Sequence, residues 1–432
     1  MKKKISRAFA LMLAGLFILG VGFSTPVYAL SSAPQNEKSA PSYTTYKGRL
    51  INNETQERIS YASIFVQGQN VSTISNSHGE FIIKIADNSG AKNIEISHLG
   101  FKNLVVPLSE LTHRMNTLYM VPTSVTLNQI YITPGPVDQI IQKVIANEDQ
   151  NYSKKPSQMK GFYRESIKKR HSYITLAEAV VNIYKAPYTG FADDQVRVVI
   201  GRMGNNVKSM DTLLFKLQGG PTTPLLLDLI KNPYVLLSSE MINHYTFSLE
   251  NEVKIDNRVF YVIKFSPISK VGTPWYSGVF YVDVKTYALA SAQFKLDLTH
   301  PDQAAYLFIQ KKPMGARVTP ISAEYMVKYK EQNGKWYFNY AKGDVTFKVK
   351  WKKRLFASNY STDFELAITD RSEMNVMKFK PRERFKKNEI FTESMKAFAD
   401  ENYWGKYNII QPDQSIESAI KKFERILKRE GK

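Results

Sequence analysis

The sequence contains no cysteine among its 432 residues, which excludes disulfide bonds, thiol nucleophiles and thiolate metal sites. Histidine is scarce, with six residues, and none of them begins the H-E-x-x-H pattern of a zinc hydrolase. The G-x-S-x-G turn of serine hydrolases and the lysine-containing glycine loop of phosphate binding are also missing. We therefore expect no metal, no cofactor and no catalytic residue of a familiar type.

Long apolar runs are missing too, apart from the run at the N-terminus. Three lysines follow Met1, and an apolar stretch from Ala8 to Phe23 leads to the small-residue step that ends at Ala29. This order is typical of a signal peptide over residues 1–29. A retained membrane-spanning anchor would need about 20 apolar residues, and this stretch is shorter and ends in a cleavage-like step. The sequence thus predicts export to the periplasm or the periplasmic face of the outer membrane, with a flexible polar leader over residues 30–43.

Acidic residues are outnumbered, 39 against 59 basic ones, and the formal net charge is +20. A charge of this size favours anionic partners, and export makes a membrane surface a better candidate than nucleic acid, although a merely solvated basic surface fits equally well. Basic residues concentrate in two clusters, which are Lys348, Lys350, Lys352, Lys353 and Arg354, and then Lys378, Lys380, Arg382, Arg384, Lys386 and Lys387.

Residues 44–133 contain short runs of strand-favouring residues, separated by Asn- and Gly-containing turns. Seven strands in about ninety residues predict an Ig/prealbumin-like antiparallel β-sandwich. The predicted strands are Tyr46 to Ile51, Ala62 to Val66, Val71 to Ser75, Phe81 to Ile85, Asn93 to His98, Leu104 to Pro107 and Asn116 to Met120.

Three segments of this region carry a family resemblance. They are Gly48-Arg49-Leu50 with Ser60 to Val66, then Ser72 to Phe81, and then Ile96 to Lys102. In this order they resemble the carboxypeptidase regulatory-like domain, with Ser60 where proline is usual and Asn76 where aspartate is usual. The resemblance implies a rigid accessory module without catalytic activity. Its structural motif residues are Gly48, Gly79, Phe81, Gly100 and Phe101.

Pro134-Gly135-Pro136 marks a boundary, and helical spacing of apolar residues predicts an amphipathic helix over about 136–150, within a linker over residues 134–155. Residues 156–432 then predict a large curved antiparallel sheet with a C-terminal helix around Ile416 to Leu427. The predicted strands are Gly161 to Lys168, Tyr173 to Tyr184, Arg197 to Ile200, Tyr245 to Val253, Arg258 to Ser266, Gly278 to Val284, Leu289 to Leu298, Ile321 to Glu331, Trp336 to Val349 and Tyr360 to Thr369. Hairpin turns are expected at Asp256-Asn257 and Asn333-Gly334, and Asp211 to Leu217 is expected to be helical or irregular.

The segment from Gly278 to Leu289 is similar to a hairpin of LolA-like envelope proteins. This resemblance implies an open half-barrel, and we expect its hollow side to be apolar. Ligand-binding candidates in this region are Arg164, Glu165, Trp275, Tyr276 and Trp336. The alternatives are an internal ion pair for the first two and core packing for the aromatic residues.

These features favour a non-enzymatic envelope protein whose large β domain binds an apolar or acyl-bearing ligand, or an envelope partner. One alternative is a scaffold that assembles with an outer-membrane receptor or transporter. A hydrolase of envelope polymers is a third hypothesis, and it predicts paired carboxylates in a cleft.

Overall fold

The computed structural model describes residues 17–19, 42–123, 137–205, 215–217, 219–255, 258–269, 274–308, 315–397 and 403–429. Most of the predicted signal peptide and leader lies outside these ranges, as do the Pro134-Gly135-Pro136 boundary and the turn at Asp256-Asn257. The short strand β1, Phe17–Leu19, pairs with a second short strand at Phe215–Leu217. Within the described part of the chain, no helix is both long and apolar enough to cross a membrane.

The N-terminal region folds into the predicted seven strands, arranged in two sheets. One sheet has the order β5-β2-β8 and the other β4-β3-β6-β7. All pairs are antiparallel except β2 with β8, which is parallel and corrects the expectation of a wholly antiparallel sandwich. The strands are β2 (Tyr43–Asn52), β3 (Ser63–Val66), β4 (Ser72–Ile74), β5 (Glu80–Ala86), β6 (Asn93–Ser97), β7 (Leu104–Pro107) and β8 (Met115–Met120).

Glycine is required at the motif positions of this sandwich for different physical reasons. Gly48 pairs across the strands with Phe81, and a Cβ at position 48 would overlap the Phe81 ring. Gly79 has φ +71° and Gly100 has φ +87°, backbone conformations that residues with a Cβ rarely adopt. The glycines therefore serve ring packing in the first case and turn geometry in the other two.

The C-terminal region forms one curved sheet of eleven strands that does not close into a barrel. Its order is β13-β14-β15-β16-β17-β18-β19-β9-β10-β11-β20, and only the last pair is parallel. The strands are β9 (Ser157–Lys169), β10 (Ser172–Lys185), β11 (Gln195–Asn205), β13 (Tyr245–Ile255), β14 (Arg258–Pro267), β15 (Tyr276–Asp283), β16 (Leu289–Leu296), β17 (Ala316–Gln332), β18 (Lys335–Trp351), β19 (Ser358–Ser372) and β20 (Lys396–Ala397), while β12 is Phe215–Leu217.

The helices are few and short. The predicted helix after the boundary is present but divides at Asn147 into α1 (Val137–Ala146) and α2 (Glu148–Asn151). Helix α3 spans Pro301–Phe308, and the predicted C-terminal helix is α4 (Gln414–Arg429). The 3₁₀ turns lie at Asp87–Ser89, Leu108–Glu110, Gly220–Thr222, Pro224–Leu227, Pro233–Val235, Met241–His244, Pro381–Glu383 and Phe391–Glu393. Residues 215–217, expected to be helical or irregular, form β12.

Alternation of side chains gives the large sheet two differently covered faces. The inner face, with Tyr163 and Ala177, packs against α1 and against residues 225–237, which together form the main apolar core. The outer face, with Phe162 and Val180, packs against Ile74 and Ile82 of the sandwich. The inner side is thus apolar, as expected, and residues of the chain itself pack against it.

Residues 403–413, which we call the strap, lie between the sandwich and the outer face. Thr73 donates a hydrogen bond to the Ile409 carbonyl (2.9 Å), and Arg164 of the large sheet donates one to the Ile410 carbonyl (2.9 Å). The Trp404 ring packs edge-on against Phe162. The strap therefore joins both units, and this joint fixes their relative position.

Candidate functional site

Two neighbouring rows of side chains cross the outer face of the large sheet, as the strand registers require. The first row consists of Lys264, Val279, Gln293, Met326 and Lys342. The second row consists of Ser277, Lys295, Glu324, Asp344 and Asp363. Charged and apolar side chains thus share one surface at the end of the sheet that the sandwich leaves open.

This surface forms the floor of a groove of about 1040 Å³ between β14–β18 and the sandwich residue Tyr61, which we call the outer groove. Val279, Met326 and Leu298 supply apolar surface, and Lys264 and Lys295 supply positive charge. The groove can therefore accept a molecule that is apolar along part of its length and anionic elsewhere.

A smaller cavity of about 190 Å³, the junction pocket, continues from the outer groove. The two share Tyr61, Lys342 and Asp344. Asn76 of the sandwich lines the junction pocket, and so does Asp413, the last residue of the strap. Sandwich, large sheet and strap therefore meet at this pocket.

Tyr61 and Lys342 form the constriction between the two cavities. The Lys342 ammonium donates to the Tyr61 hydroxyl (2.8 Å) and lies 3.0 Å from an Asp344 oxygen. Burial alone would lower the pKa of Lys342, but Asp344 and Tyr61 outweigh it and hold that pKa above its ordinary value. Burial also raises the pKa of Tyr61. Both partners thus keep their protons at neutral pH, so Lys342 is a cation with the Asp344 carboxyl beside it.

Asp344 and Asp363 lie directly opposite each other on β18 and β19 and share a proton. Burial, reinforced by the hydrogen bond to Asp363, raises the pKa of Asp344 to about 7. Burial also acts on Asp363, but its hydrogen bonds and Lys168, 3.0 Å away, hold its pKa below the ordinary value. One carboxyl is a proton donor and the other a carboxylate, which is an arrangement that acid–base chemistry can use. No group of three His, Asp or Glu suited to a metal ion occurs within the described ranges.

Arg164 lines the junction pocket and belongs to a buried ion-pair network. Its guanidinium donates to Glu178 (2.8 Å) and to Glu365 (3.1 Å), and Arg202 donates to the second oxygen of Glu178 (2.8 Å). Glu178 is fully buried, and Tyr340 donates to Glu365 (2.9 Å). The internal ion pair expected as the alternative role of Arg164 is therefore present, with strand neighbours as its partners.

Glu165 points to the opposite, inner face, so it does not share a site with Arg164. The Tyr163 hydroxyl donates to it at 2.5 Å. Burial raises the pKa of Glu165 to about 8, despite the opposing effect of this hydrogen bond. Glu165 is therefore protonated in the folded protein at neutral pH.

The three predicted aromatic candidates are dispersed along the sheet. Trp275 stacks on His244 with 4.8 Å between ring centroids, and Tyr276 packs edge-on against Phe294. Trp336 is buried against Phe260. Neither Tyr276 nor Trp336 is an outer-groove side chain of the two rows, and a ligand-binding role for these residues stays a prediction.

The motif glycines of the sandwich lie in turns or beneath an aromatic ring, and comparison with known protein families agrees with this fold. Residues 46–132 match the family model of the CarboxypepD_reg-like domain. This confirms the resemblance predicted from Gly48, Gly79 and Gly100. A search of curated proteins finds no match to the chain.

Solved structures similar to the chain include a domain named for outer membrane lipoprotein sorting from Vibrio parahaemolyticus, at 10% identity, covering 56% of this chain and 94% of that one with a TM-score of 0.25. A LolA superfamily protein from Nitrosomonas europaea has 12% identity, coverages of 57% and 99%, and a TM-score of 0.20. A DUF1329 family protein from Desulfovibrio piger has 12% identity, coverages of 54% and 94%, and a TM-score of 0.23. The names agree with the predicted LolA-like resemblance, while TM-scores this low support no inference about ligand or mechanism.

Sequence reasoning singled out Arg164 of the junction pocket but missed the other residues named in the two cavities. Lys342, Asp344 and Asp363 lie on long strands whose alternation was recognised, but their partners depend on strand register. The available signal was the alternation of charged residues along β18, which marked one face of that strand as polar.

Proposed function

We propose that this chain is a non-enzymatic binding protein of the bacterial envelope, and that the outer groove holds an acyl-bearing, anionic ligand. The observation that carries this proposal is the composition of one groove surface, where Val279 and Met326 lie in the same row as Lys264 and Lys342. Its volume of about 1040 Å³ is slightly above the roughly 300–1,000 Å³ typical of ligand sites.

The ligand's apolar part would lie over Val279 and Met326, where burial of methylene groups contributes about 0.8 kcal/mol each. Its anionic part would pair with Lys264 and Lys295, which are exposed at the groove floor. Lys342 at the constriction adds a third cation. This division of the surface supports an amphiphile over a fully apolar ligand.

The proposal includes the division of the chain near residues 134–136, with the CarboxypepD_reg-like module before it and the large sheet after it. The sandwich supplies Tyr61 to one wall of the groove, so the module completes the binding site as a rigid part. Export by the predicted signal peptide over residues 1–29 would bring both parts to the periplasm.

Mass spectrometry of lipid extracted from the purified, exported protein tests the proposal. We expect a stoichiometric anionic amphiphile in the wild type and its loss in V279D, since a carboxylate in the first row repels the anion and disrupts the apolar contact. V105D, on an exposed sandwich position outside the groove, is the matched control and should retain the ligand. Wild-type protein free of lipid, or equal loss in both variants, would contradict the proposal.

A second candidate function is a hydrolase of envelope polymers, and the proton-sharing pair of Asp344 and Asp363 favours it. The raised pKa of one carboxyl and the lowered pKa of the other provide an acid and a base in one pocket. Incubation of purified peptidoglycan with the wild type and with D344N distinguishes the two functions. New free amino groups formed by the wild type alone would support the hydrolase, since a proton-sharing carboxyl pair is the arrangement of aspartic proteases. Absence of products with either protein would favour the binding function.

A further inference from the structure

The hairpin between β18 and β19 ends in a tip that is both apolar and basic. Leu355 is 78% exposed and Phe356 is 75% exposed, which is unusual for large apolar side chains on a folded surface. Lys352, Lys353 and Arg354 precede them directly and are exposed as well. We call residues 352–356 the hairpin tip.

The sequence of the hairpin that carries the tip has charge of one sign. No acidic residue occurs between Asp344 and Asp363, whereas five basic residues do, and Lys348 and Lys350 extend the positive surface along the exposed face of β18. The Lys350 ammonium also donates to the Leu355 carbonyl (3.1 Å), which holds the tip's backbone against the strand. The tip is therefore an ordered apolar projection inside a positive field.

We infer that the hairpin tip inserts into the surface of an anionic phospholipid membrane. Leu355 and Phe356 would enter the boundary between head groups and acyl chains, and the neighbouring lysines would remain among the phosphates. This combination of apolar insertion with basic anchoring is the chemistry of interfacial membrane contact. An acidic protein surface would satisfy the lysines but would leave the two apolar side chains in water.

The position of the tip suits this contact and does not depend on what the outer groove holds. Trp351, the last residue of β18, lies seven residues beyond Asp344, which places the tip about 23 Å past the second row of the groove floor. The tip therefore projects from the end of the large sheet, where the sandwich does not cover it.

Flotation with vesicles of phosphatidylethanolamine and phosphatidylglycerol, using the exported full-length protein, tests the inference. We expect the wild type to bind these vesicles, to bind phosphatidylcholine vesicles much more weakly, and to lose affinity as salt rises. L355S/F356S should weaken binding to the anionic vesicles at least about tenfold, because it removes two insertable side chains.

The control variant is M374S/M377S, which changes two apolar side chains that are 79% and 71% exposed at the other end of β19. It should bind vesicles like the wild type. F356W supplies a second readout, since its emission should shift to the blue when anionic vesicles are added. Absence of wild-type binding, equal binding by L355S/F356S, an equal loss in M374S/M377S, or an unshifted emission would each overturn the inference.

Discussion

Neutralising Glu178 should destabilise the large sheet more than any conservative change at its surface. Glu178 is fully buried, and its two oxygens accept hydrogen bonds from Arg164 and Arg202. Burial raises its pKa, but the two guanidiniums outweigh this and hold the pKa below its ordinary value, so the folded protein contains the carboxylate. In E178Q, Arg202 loses the carboxylate it shares with Arg164, and Arg164 keeps Glu365 as a carboxylate partner and the Ile410 carbonyl as an acceptor.

Removing one member of a buried ion pair typically costs about 3–5 kcal/mol, because the remaining charges stay buried without compensation. We therefore expect E178Q to lower the free energy of unfolding by about 3–5 kcal/mol, measured from the urea midpoint by circular dichroism. E324Q, at an exposed carboxylate on the same face, should change it by less than about 0.5 kcal/mol.

A double-mutant cycle tests whether the loss comes from the network itself. Once Glu178 is neutral, replacing Arg202 by glutamine should cost less than in the wild type, because the Glu178 carboxylate that Arg202 pairs with is already gone. A loss below about 1 kcal/mol in E178Q, or strictly additive costs of E178Q and R202Q, would refute the reasoning.

Three further predictions concern single residues. Because burial raises the pKa of Glu165 to about 8, the folded protein keeps a proton that the unfolded chain releases, so stability should fall as pH rises from about 5 to 8, and a series of urea midpoints should show a smaller slope in E165Q. Burial lowers the pKa of Lys328 to about 8, so the unfolded chain binds more protons between about pH 8 and 10.5, and stability should rise with pH there in the wild type but less so in K328M. A Cβ at Gly278 would overlap the Gln293 carbonyl oxygen and lie 2.7 Å from the Phe294 Cα, so G278A should cost about 1–3 kcal/mol in thermal or urea unfolding, against less than about 0.5 for S277A. A flat pH profile in the wild type or a neutral G278A would contradict the respective argument.

Much of the fold could be predicted because alternation and turn chemistry are local properties. The seven strands of the sandwich and the ten long strands of the large sheet were all expected, with observed bounds a few residues longer in most cases. The turn at Asn333-Gly334 was also recognisable, and both residues adopt the positive φ that such hairpins need. Local sequence patterns thus determined which segments became strands.

The candidate site could not be predicted, because it depends on register between strands. The turn between β9 and β10 pairs Ser172 with Lys169, and continuing that register would place Arg164 opposite Ala177. An irregularity between Tyr173 and Thr175 shifts the pairing by one residue and brings Arg164 opposite Glu178. A shift of one residue exchanges the faces of a strand, so the ion-pair network depends on a feature that propensity does not encode.

The strap has a consequence for the order in which the molecule is assembled. Its residues are synthesised after the whole sandwich and after every long strand, so each unit emerges before the segment that joins them. Until then, Ile74 and Ile82 of the sandwich and Phe162 of the sheet lack the apolar cover of Trp404 and Ile410. An intermediate in which the strap has not yet docked therefore exposes apolar surface, and this is the stage at which a chaperone would have most to protect.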